Sequence, residues 1–228
     1  MTTRRRIYLL RHGDAAYMGS ADGDATVDPV LSERGIEEAR ALGRFFARVP
    51  IDLAVATGLK RTMQTAKLAL GDRDLPIEVI DGFSEAKTGS FESIETAEEM
   101  EAAVLGAFQN AEAPGARFLT GELFAAVRDR ATSALQSLIQ RDDWTSALLA
   151  CHGVVNRTLL AYALGAGPET YRRFEQDSGC VNVLDIEGCG EDARVAYVRL
   201  INFTPHNPDK HEMFETSLET LWRKFVED

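Results

Sequence analysis

The sequence has few cysteines and no long apolar run. Its three cysteines, Cys151, Cys180 and Cys189, are odd in number and lack the spacing of a metal site. This pattern is typical of a reduced, intracellular protein and predicts a cytoplasmic location. No stretch approaches the roughly 18 apolar residues that a membrane-spanning helix needs. The apolar run 7–10 that follows Arg4–Arg6 is too short for a signal peptide. We therefore expect no membrane partner.

Positive charge is also scarce. The 228 residues include 25 Lys and Arg against 36 Asp and Glu, which makes the net charge −11. This balance argues against a nucleic acid or an anionic membrane as partner. If the substrate is an anion, a local cluster of arginines must attract it, because the overall field would repel it. Repeats and low-complexity linkers are lacking too, and the length suits one α/β domain with an insertion.

What the sequence does contain is an alternation of apolar strands and amphipathic helices. The pattern predicts strands over 7–10, 52–57, 76–80 and 145–151, helices over 33–48, 59–70, 121–141 and 154–164, and two late antiparallel strands over 181–186 and 195–201. Strands that alternate with helices form a mainly parallel sheet covered on both faces. We therefore predict a three-layer α/β/α sandwich.

The segment 86–120 interrupts this alternation. Thr96 and Glu99 form a capping-box pattern ahead of a helix that we expect to reach about residue 110. We interpret 86–120 as a helical insertion that covers the site within a single domain. The tail, 203–228, carries an apolar stripe at helical spacing, which predicts packing on the domain, with a homodimer contact as the alternative. The stripe consists of Phe214, Leu218, Leu221, Trp222 and Phe225.

Two predicted strands end in a His-Gly pair, at 12–13 and 152–153. Ligands bind at the carboxyl ends of parallel strands, and a glycine permits a tight turn and a close approach of the backbone. Arg11 adds a guanidinium suited to phosphate oxygens, and Arg61 starts the second helix, where backbone N–H groups favour anions. These residues predict a phosphate-sized anion site in which a neutral imidazole could attack phosphorus.

Five sequence blocks, in the same order, resemble those of the histidine phosphatase superfamily, also called phosphoglycerate mutase-like. The blocks are Leu10-Arg11-His12-Gly13, Leu31-Ser32-Glu33-Arg34-Gly35, the segment 57–66, Phe83-Ser84-Glu85 with Gly89 and Phe91-Glu92, and Cys151-His152-Gly153. They extend over about two-thirds of the 228 residues. Each block alone is a weak signal, whereas all five together make the resemblance specific.

The resemblance implies a role for each matching residue. His12 would be the nucleophile that becomes phosphorylated, and Arg11, Arg61 and His152 would bind the phosphoryl group. Glu85 would protonate the leaving alcohol and later help to deprotonate water. The alternatives are ordinary structural roles: a strand-end or core histidine, surface salt bridges for the arginines, and a solvated loop carboxylate for Glu85.

Two further residues belong to the predicted site. Gly13 would let the loop approach the phosphate, and Thr57, in place of the family's common Ser, could keep a hydroxyl for it. The resemblance implies no metal and no cofactor, because the arginines supply the positive charge. In the tail, His206 and His211 lie five residues apart in a segment with two prolines, so we interpret them as surface-loop residues rather than metal ligands.

The resemblance predicts a phosphatase that hydrolyses a small phosphorylated metabolite through a phosphohistidine on His12. Phosphoglycerate mutase is one alternative, although Ala15 and Ala16 stand where many mutases carry Ser or Thr and then a Trp-Asn pair. A protein phosphohistidine phosphatase is another, but those short members usually lack the 86–120 insertion and the acid stretch around Glu85. A non-catalytic phosphate-binding module is the third, and the retention of all the predicted site residues weighs against it.

Overall fold

A six-stranded sheet forms the centre of the protein. The computed structural model describes residues 4–17, 28–89 and 96–227, and only the backbone of residues 224, 225 and 227. The strands are β1 Arg5–Arg11, β2 Leu53–Ala56, β3 Ile77–Val79, β4 Ser146–Cys151, β5 Val181–Glu187 and β6 Arg194–Phe203. They lie in the order β3-β2-β4-β1-β5-β6. Strands β1 to β4 are parallel, whereas β5 is antiparallel to β1 and β6 is antiparallel to β5.

Helices cover both faces of this sheet. They are α1 Glu33–Phe46, α2 Lys60–Leu70, α3 Ala97–Leu105, α4 Phe124–Gln140, α5 Gly153–Ala163 and α6 Ser217–Glu227. In the part of the chain that the structure describes, none of them is both long and apolar enough to cross a membrane.

Successive side chains of β1 show how the layers are packed. Leu9 lies in a buried cluster with Val127 of α4 and Leu159 of α5, whereas its neighbour Leu10 lies in a second cluster with Leu42 of α1. Alternate residues of a strand point to opposite faces of the sheet, so each face buries its own pair of helices. The predicted three-layer sandwich with a mainly parallel sheet is confirmed.

The end of the helix inside the insertion and the start of the helix after it differ from prediction. The capping box of Thr96 and Glu99 is present, but α3 ends at Leu105 rather than near 110. Gly106 is a poor helix former, and the turns after it place Phe108 in the core. Helix α4 begins at Phe124 rather than 121, because Gly121 forms a turn against the segment 87–89. A Cβ at Gly121 would lie 1.9 Å from the Lys87 carbonyl oxygen.

The insertion and the tail are described in part. Phe108 and Phe118 pack against Phe124 and extend the core into the insertion, but what 86–120 covers stays a prediction. Phe91 and Glu92 lie outside the described residues. In the tail, α6 packs beside α3.

The apolar stripe of the tail packs only in part. Leu218 packs against the core, as predicted, whereas Phe214 precedes the helix and is 92% exposed. The side chain of Phe225 lies outside the described atoms. The homodimer contact stays a prediction.

Candidate active site

The carboxyl ends of β1 and β4 bring the two predicted histidines together. The strands are parallel neighbours, and Arg11 pairs in register with Cys151. The next residue of each strand, His12 and His152, therefore leaves the sheet at the same edge. The two imidazole centroids are 5.2 Å apart, and both residues are buried, at 2% and 0% exposure. The His12 backbone N–H donates to the Cys151 carbonyl oxygen at 3.0 Å and ties the two strand ends together.

The surroundings of His12 decide which of its ring nitrogens carries the proton. Nδ1 lies 2.7 Å from the Gly13 carbonyl oxygen, and because a carbonyl can only accept, Nδ1 is the donor. Nε2 therefore keeps its lone pair. Burial lowers the pKa of His12 well below its ordinary value, and the charges of Arg11 and Arg61 lower it further. The ring is thus neutral at neutral pH, as an attacking nucleophile must be.

A chain of hydroxyls decides the same question for His152. The Thr62 hydroxyl donates to the Leu59 carbonyl oxygen at 2.8 Å, so it accepts from the Thr57 hydroxyl, 2.9 Å away. The Thr57 oxygen then accepts from His152 Nε2 at 2.9 Å. His152 Nδ1 is left unprotonated and lies 3.4 Å from Nη2 of Arg61, which can only donate. Burial lowers the pKa of His152 well below its ordinary value.

Arg61 and Arg11 surround the imidazoles with positive charge. Arg61 is buried at the start of α2, and its Nε and Nη1 have no hydrogen-bond partner among the described residues. Its ion pair with Asp28 is long, with 3.8 Å between Nη1 and Oδ1. Arg11 donates to the Gln176 carbonyl oxygen, while its Nε has no partner within the same part of the chain. Leaving a buried donor unpaired costs about 1–3 kcal/mol, and the oxygens of a phosphoryl group are suited to accept from such donors.

Glu85 brings a carboxylate to the edge where the histidines lie. It follows a short 3₁₀ turn, Asp81–Phe83, and is half-buried. Its Oε2 accepts from the Val154 backbone N–H at 3.3 Å, and its Oε1 accepts from the Ala86 N–H at 3.0 Å. Val154 belongs to the first turn of α5, where the helix dipole favours a negative group. The carboxylate therefore contacts a residue that lies two positions after His152 in the chain.

Gly13 and Thr57 lie in the site but contact protein groups. The Gly13 N–H donates to the Thr65 hydroxyl at 3.1 Å, and a Cβ at Gly13 would lie 2.5 Å from the Gly35 carbonyl oxygen. Glycine is needed here for the close approach to α1. A direct contact of Gly13 or Thr57 with phosphate stays a prediction. At Gly153 a Cβ would meet no atom closer than 3.5 Å, so the structure gives no steric reason for glycine there.

Sequence reasoning missed three side chains that border this site. Thr62 completes the hydroxyl chain, and the Tyr17 ring centroid lies 5.8 Å from the Arg61 guanidinium carbon. Asp28 is the third, through its ion pair with Arg61. Thr62 was the easiest to find, since it directly follows Arg61 in the block 57–66. Nothing in the sequence singled out the contacts of Tyr17 and Asp28 with Arg61, which depend on tertiary structure.

The two histidines of the tail differ in their surroundings. His211 is exposed, as expected for a surface loop, but His206 is half-buried, with its Nε2 4.0 Å from a carboxylate oxygen of Glu38. No group of three or more His, Cys, Asp or Glu side chains among the described residues could hold a metal ion.

Comparison with known proteins assigns the chain to a family. Residues 7–199 match the model of the histidine phosphatase superfamily (branch 1), and the chain belongs to this superfamily. The adenosylcobalamin/alpha-ribazole phosphatase of Escherichia coli (strain K12) is 30% identical over 201 residues, which cover 86% of this chain and 95% of that protein.

Solved structures agree with this assignment. The crystal structure of the alpha-ribazole phosphatase from Shigella flexneri is 28% identical, has a TM-score of 0.66 and covers 86% of this chain and 96% of its own. A mycobacterial glucosyl-3-phosphoglycerate phosphatase, solved with inorganic phosphate, has a TM-score of 0.70 at 21% identity over 89% of this chain and 99% of its own. This last likeness bears on the fold alone. The predicted superfamily and its enzyme class, a phosphoric monoester hydrolase, are confirmed.

Proposed function

We propose that this chain hydrolyses a small phosphomonoester, without a metal ion, through a phosphohistidine intermediate on His12. The observation that carries the proposal is the 2.7 Å contact between His12 Nδ1 and the Gly13 carbonyl oxygen. It leaves Nε2 with a free lone pair at the sheet edge where Arg11 and Arg61 supply positive charge. The positive charge of the two arginines supports activity without a metal, since it does for the transferred phosphoryl group what a divalent cation does elsewhere.

In the first step, His12 Nε2 attacks phosphorus while the bond from phosphorus to the alcohol oxygen breaks. The unpaired N–H groups of Arg11 and Arg61 would donate to the phosphoryl oxygens, where negative charge develops. Glu85, in its protonated form, would give its proton to the departing oxygen, so that a neutral alcohol leaves. The bound phosphate would also favour protonation of His152, which burial otherwise opposes.

In the second step, a water molecule attacks the phosphorus of the phosphohistidine. The bond from phosphorus to Nε2 breaks, and its electron pair returns to His12. The Glu85 carboxylate takes the proton that the water loses and is ready for the next cycle. The sum of both steps is one ester and one water consumed, and one alcohol and one phosphate released.

The relatives support a small alcohol as the leaving group. By their names, the Escherichia coli relative is an adenosylcobalamin/alpha-ribazole phosphatase and the Shigella flexneri protein is an alpha-ribazole phosphatase. An identity of 30% does not decide the alcohol, because specificity depends on the groups around it rather than on the fold. We would test alpha-ribazole phosphate first. We further propose that 86–120 covers the site and shapes specificity. A cytoplasmic location is supported by the three cysteines, which are all free.

The test is an assay in EDTA with p-nitrophenyl phosphate and an alkyl phosphate. Wild type should turn over both without a bisphosphorylated primer, and His12→Ala should lose essentially all turnover. His211→Ala, an exposed histidine outside the site, is the matched control. Rapid quench with labelled substrate should trap an acid-labile, alkali-stable phosphoprotein. Turnover that survives in His12→Ala would refute the mechanism, and phosphate release that requires a primer would favour a mutase.

A further inference from the structure

Arg130, on α4, binds the main chain of the segment that carries Glu85. Its Nη1 donates to the carbonyl oxygens of Gly82 and Ser84 at 2.9 and 2.6 Å. Its Nη2 donates to the carbonyl oxygen of Glu85 itself at 3.2 Å. One side chain thus contacts three of four successive peptide groups, and the last of them belongs to the proposed general acid.

Glu122 takes the remaining donors of this guanidinium. Arg130 Nε and Nη2 donate to Oε1 and Oε2 of Glu122 at 2.9 and 3.0 Å. A guanidinium has five N–H groups, so each one has an acceptor in the protein. The hydrogen bond from Arg130 lowers the pKa of Glu122, which keeps the carboxylate ionised and balances the charge of the arginine.

The same pair also holds the chain on the other side of Glu85. Glu122 Oε2 accepts from the Lys87 backbone N–H at 3.3 Å, and the Glu122 N–H donates to the Lys87 carbonyl oxygen at 2.9 Å. Gly82 packs so closely on α4 that a Cβ there would lie 2.6 Å from the Cβ of Ala134. The acid-bearing segment is therefore held from residue 82 to residue 87 by α4 and by Glu122, which lies two residues before that helix.

We propose that the Arg130–Glu122 pair positions the general acid. By fixing the main chain at 82–87, the pair keeps the Glu85 carboxylate at the start of α5, where it accepts from Val154 at 3.3 Å. Arg130 is a positioning residue, since the protein uses all of its N–H groups. Lysine cannot replace it, because a single ammonium has three donors on one atom and no planar fork. The inference rests on the proposed function, in which Glu85 protonates the leaving alcohol.

The test compares two substrates whose need for an acid differs. An alkyl alcohol leaves only when it is protonated, whereas p-nitrophenol leaves readily as an anion. For Arg130→Lys and Arg130→Met we expect kcat on the alkyl phosphate to fall on the order of 10- to 100-fold. Because Glu85 also takes the proton of the attacking water in the second step, the readout for p-nitrophenyl phosphate is the burst of p-nitrophenol released in the first step, which should change little. Arg128→Met is the matched control, since Arg128 lies on the same helix, is exposed and pairs with the neighbouring Asp129.

The outcome separates this inference from the proposed function. Glu85→Gln serves as the reference and should show the same substrate pattern, only stronger. If Glu85→Gln discriminates between the substrates and the Arg130 variants do not, the positioning role is overturned and the mechanism stands. If Glu85→Gln does not discriminate, Glu85 is not the acid and the positioning role is overturned with it, whereas the phosphohistidine on His12 is tested separately by His12→Ala. Should the Arg130 variants fail to fold, Glu122→Gln must show the same pattern to a smaller degree, and an unchanged substrate ratio in that variant refutes the inference.

Discussion

Replacing Thr57 by valine tests the hydroxyl chain that orients His152. Valine has nearly the shape of threonine but lacks the oxygen that accepts from His152 Nε2 and donates to Thr62. Thr57 is 4% exposed and His152 is 0% exposed, so bulk water has little access to replace the lost oxygen. The imidazole must then either keep a buried N–H without an acceptor or change its tautomer. A changed tautomer would place a proton on Nδ1, opposite Arg61.

Either response has a cost that can be estimated. A buried donor without a partner costs about 1–3 kcal/mol, so we expect the free energy of unfolding of Thr57→Val to fall by about that amount. A misoriented or wrongly protonated His152 would also bind the transition state less well. If the same penalty appears there, kcat falls by about 5- to 150-fold, since 1.36 kcal/mol corresponds to a factor of ten.

The assay combines chemical unfolding with kinetics on wild type and four variants. Thr57→Ser keeps the hydroxyl and should stay close to wild type. Thr62→Val should lose activity as well, because the Thr57 hydroxyl no longer has an acceptor and can turn its proton toward His152. The loss of stability and activity in the double variant Thr57→Val/Thr62→Val should be smaller than the sum of the losses in the two single variants, since both substitutions interrupt one chain. The ¹⁵N shifts of the His152 ring would report its tautomer directly.

The same variants distinguish the chain from a direct contact between Thr57 and phosphate. If Thr57 binds phosphate, inhibition by inorganic phosphate weakens in Thr57→Val and is unaffected in Thr62→Val. Additive losses in the double variant, together with a silent Thr62→Val, would refute the hydroxyl chain. Unchanged kinetics in Thr57→Val would dismiss both roles.

Two further predictions concern stability. Because burial lowers the pKa values of His12 and His152 in the folded state, the unfolded chain takes up protons first. The two histidines should therefore lower the free energy of unfolding as the pH drops below about 6.5 and leave it unchanged above that pH. Urea unfolding at a series of pH values measures this, and a stability that does not fall below about pH 6.5 would contradict the prediction. Gly13→Ala should lower the free energy of unfolding by about 1–3 kcal/mol, because its Cβ would lie 2.5 Å from the Gly35 carbonyl oxygen. Gly153→Ala is the matched control and should lower it little. Equal losses in the two variants would refute the steric argument.

The sheet edge that carries the site could be predicted from the sequence. Short apolar runs end abruptly at Arg11 and at Cys151, and a histidine follows each. Parallel strands present their carboxyl ends at one edge, so the two histidines had to lie on the same side whatever the strand order. That β1 and β4 are direct neighbours could not be predicted, because the order of parallel strands depends on how the crossover helices pack. Adjacency is what reduces the distance between ring centroids to 5.2 Å.

The supporting contacts could not be predicted, because they depend on tertiary structure. Arg128 and Arg130 look alike in the sequence, two charged residues on one amphipathic helix. Arg130 differs from Arg128 only in the folded protein, where it donates to the carbonyl oxygen of Ser84, 46 residues earlier in the chain. The sequence predicts a Thr57 hydroxyl for phosphate, which stays a prediction, but it does not show that the Thr57 oxygen accepts from His152 Nε2. Local pattern shows which residues reach a sheet edge, and says little about what their side chains then contact.

The site thus draws its two chemical tasks from different parts of the fold. In the proposed mechanism, attack and charge stabilisation come from His12 and Arg61, whose backbones are held by the end of β1 and by the start of α2. Proton donation would come from Glu85, on a segment that Arg130 and Glu122 hold against α4. A substitution on α4 can therefore weaken protonation of the leaving alcohol without moving the phosphate-binding arginines. Because the need for an acid rises with the pKa of the alcohol, such a change would shift the preference of the enzyme toward alcohols that leave easily, from whose esters the phosphohistidine would still form.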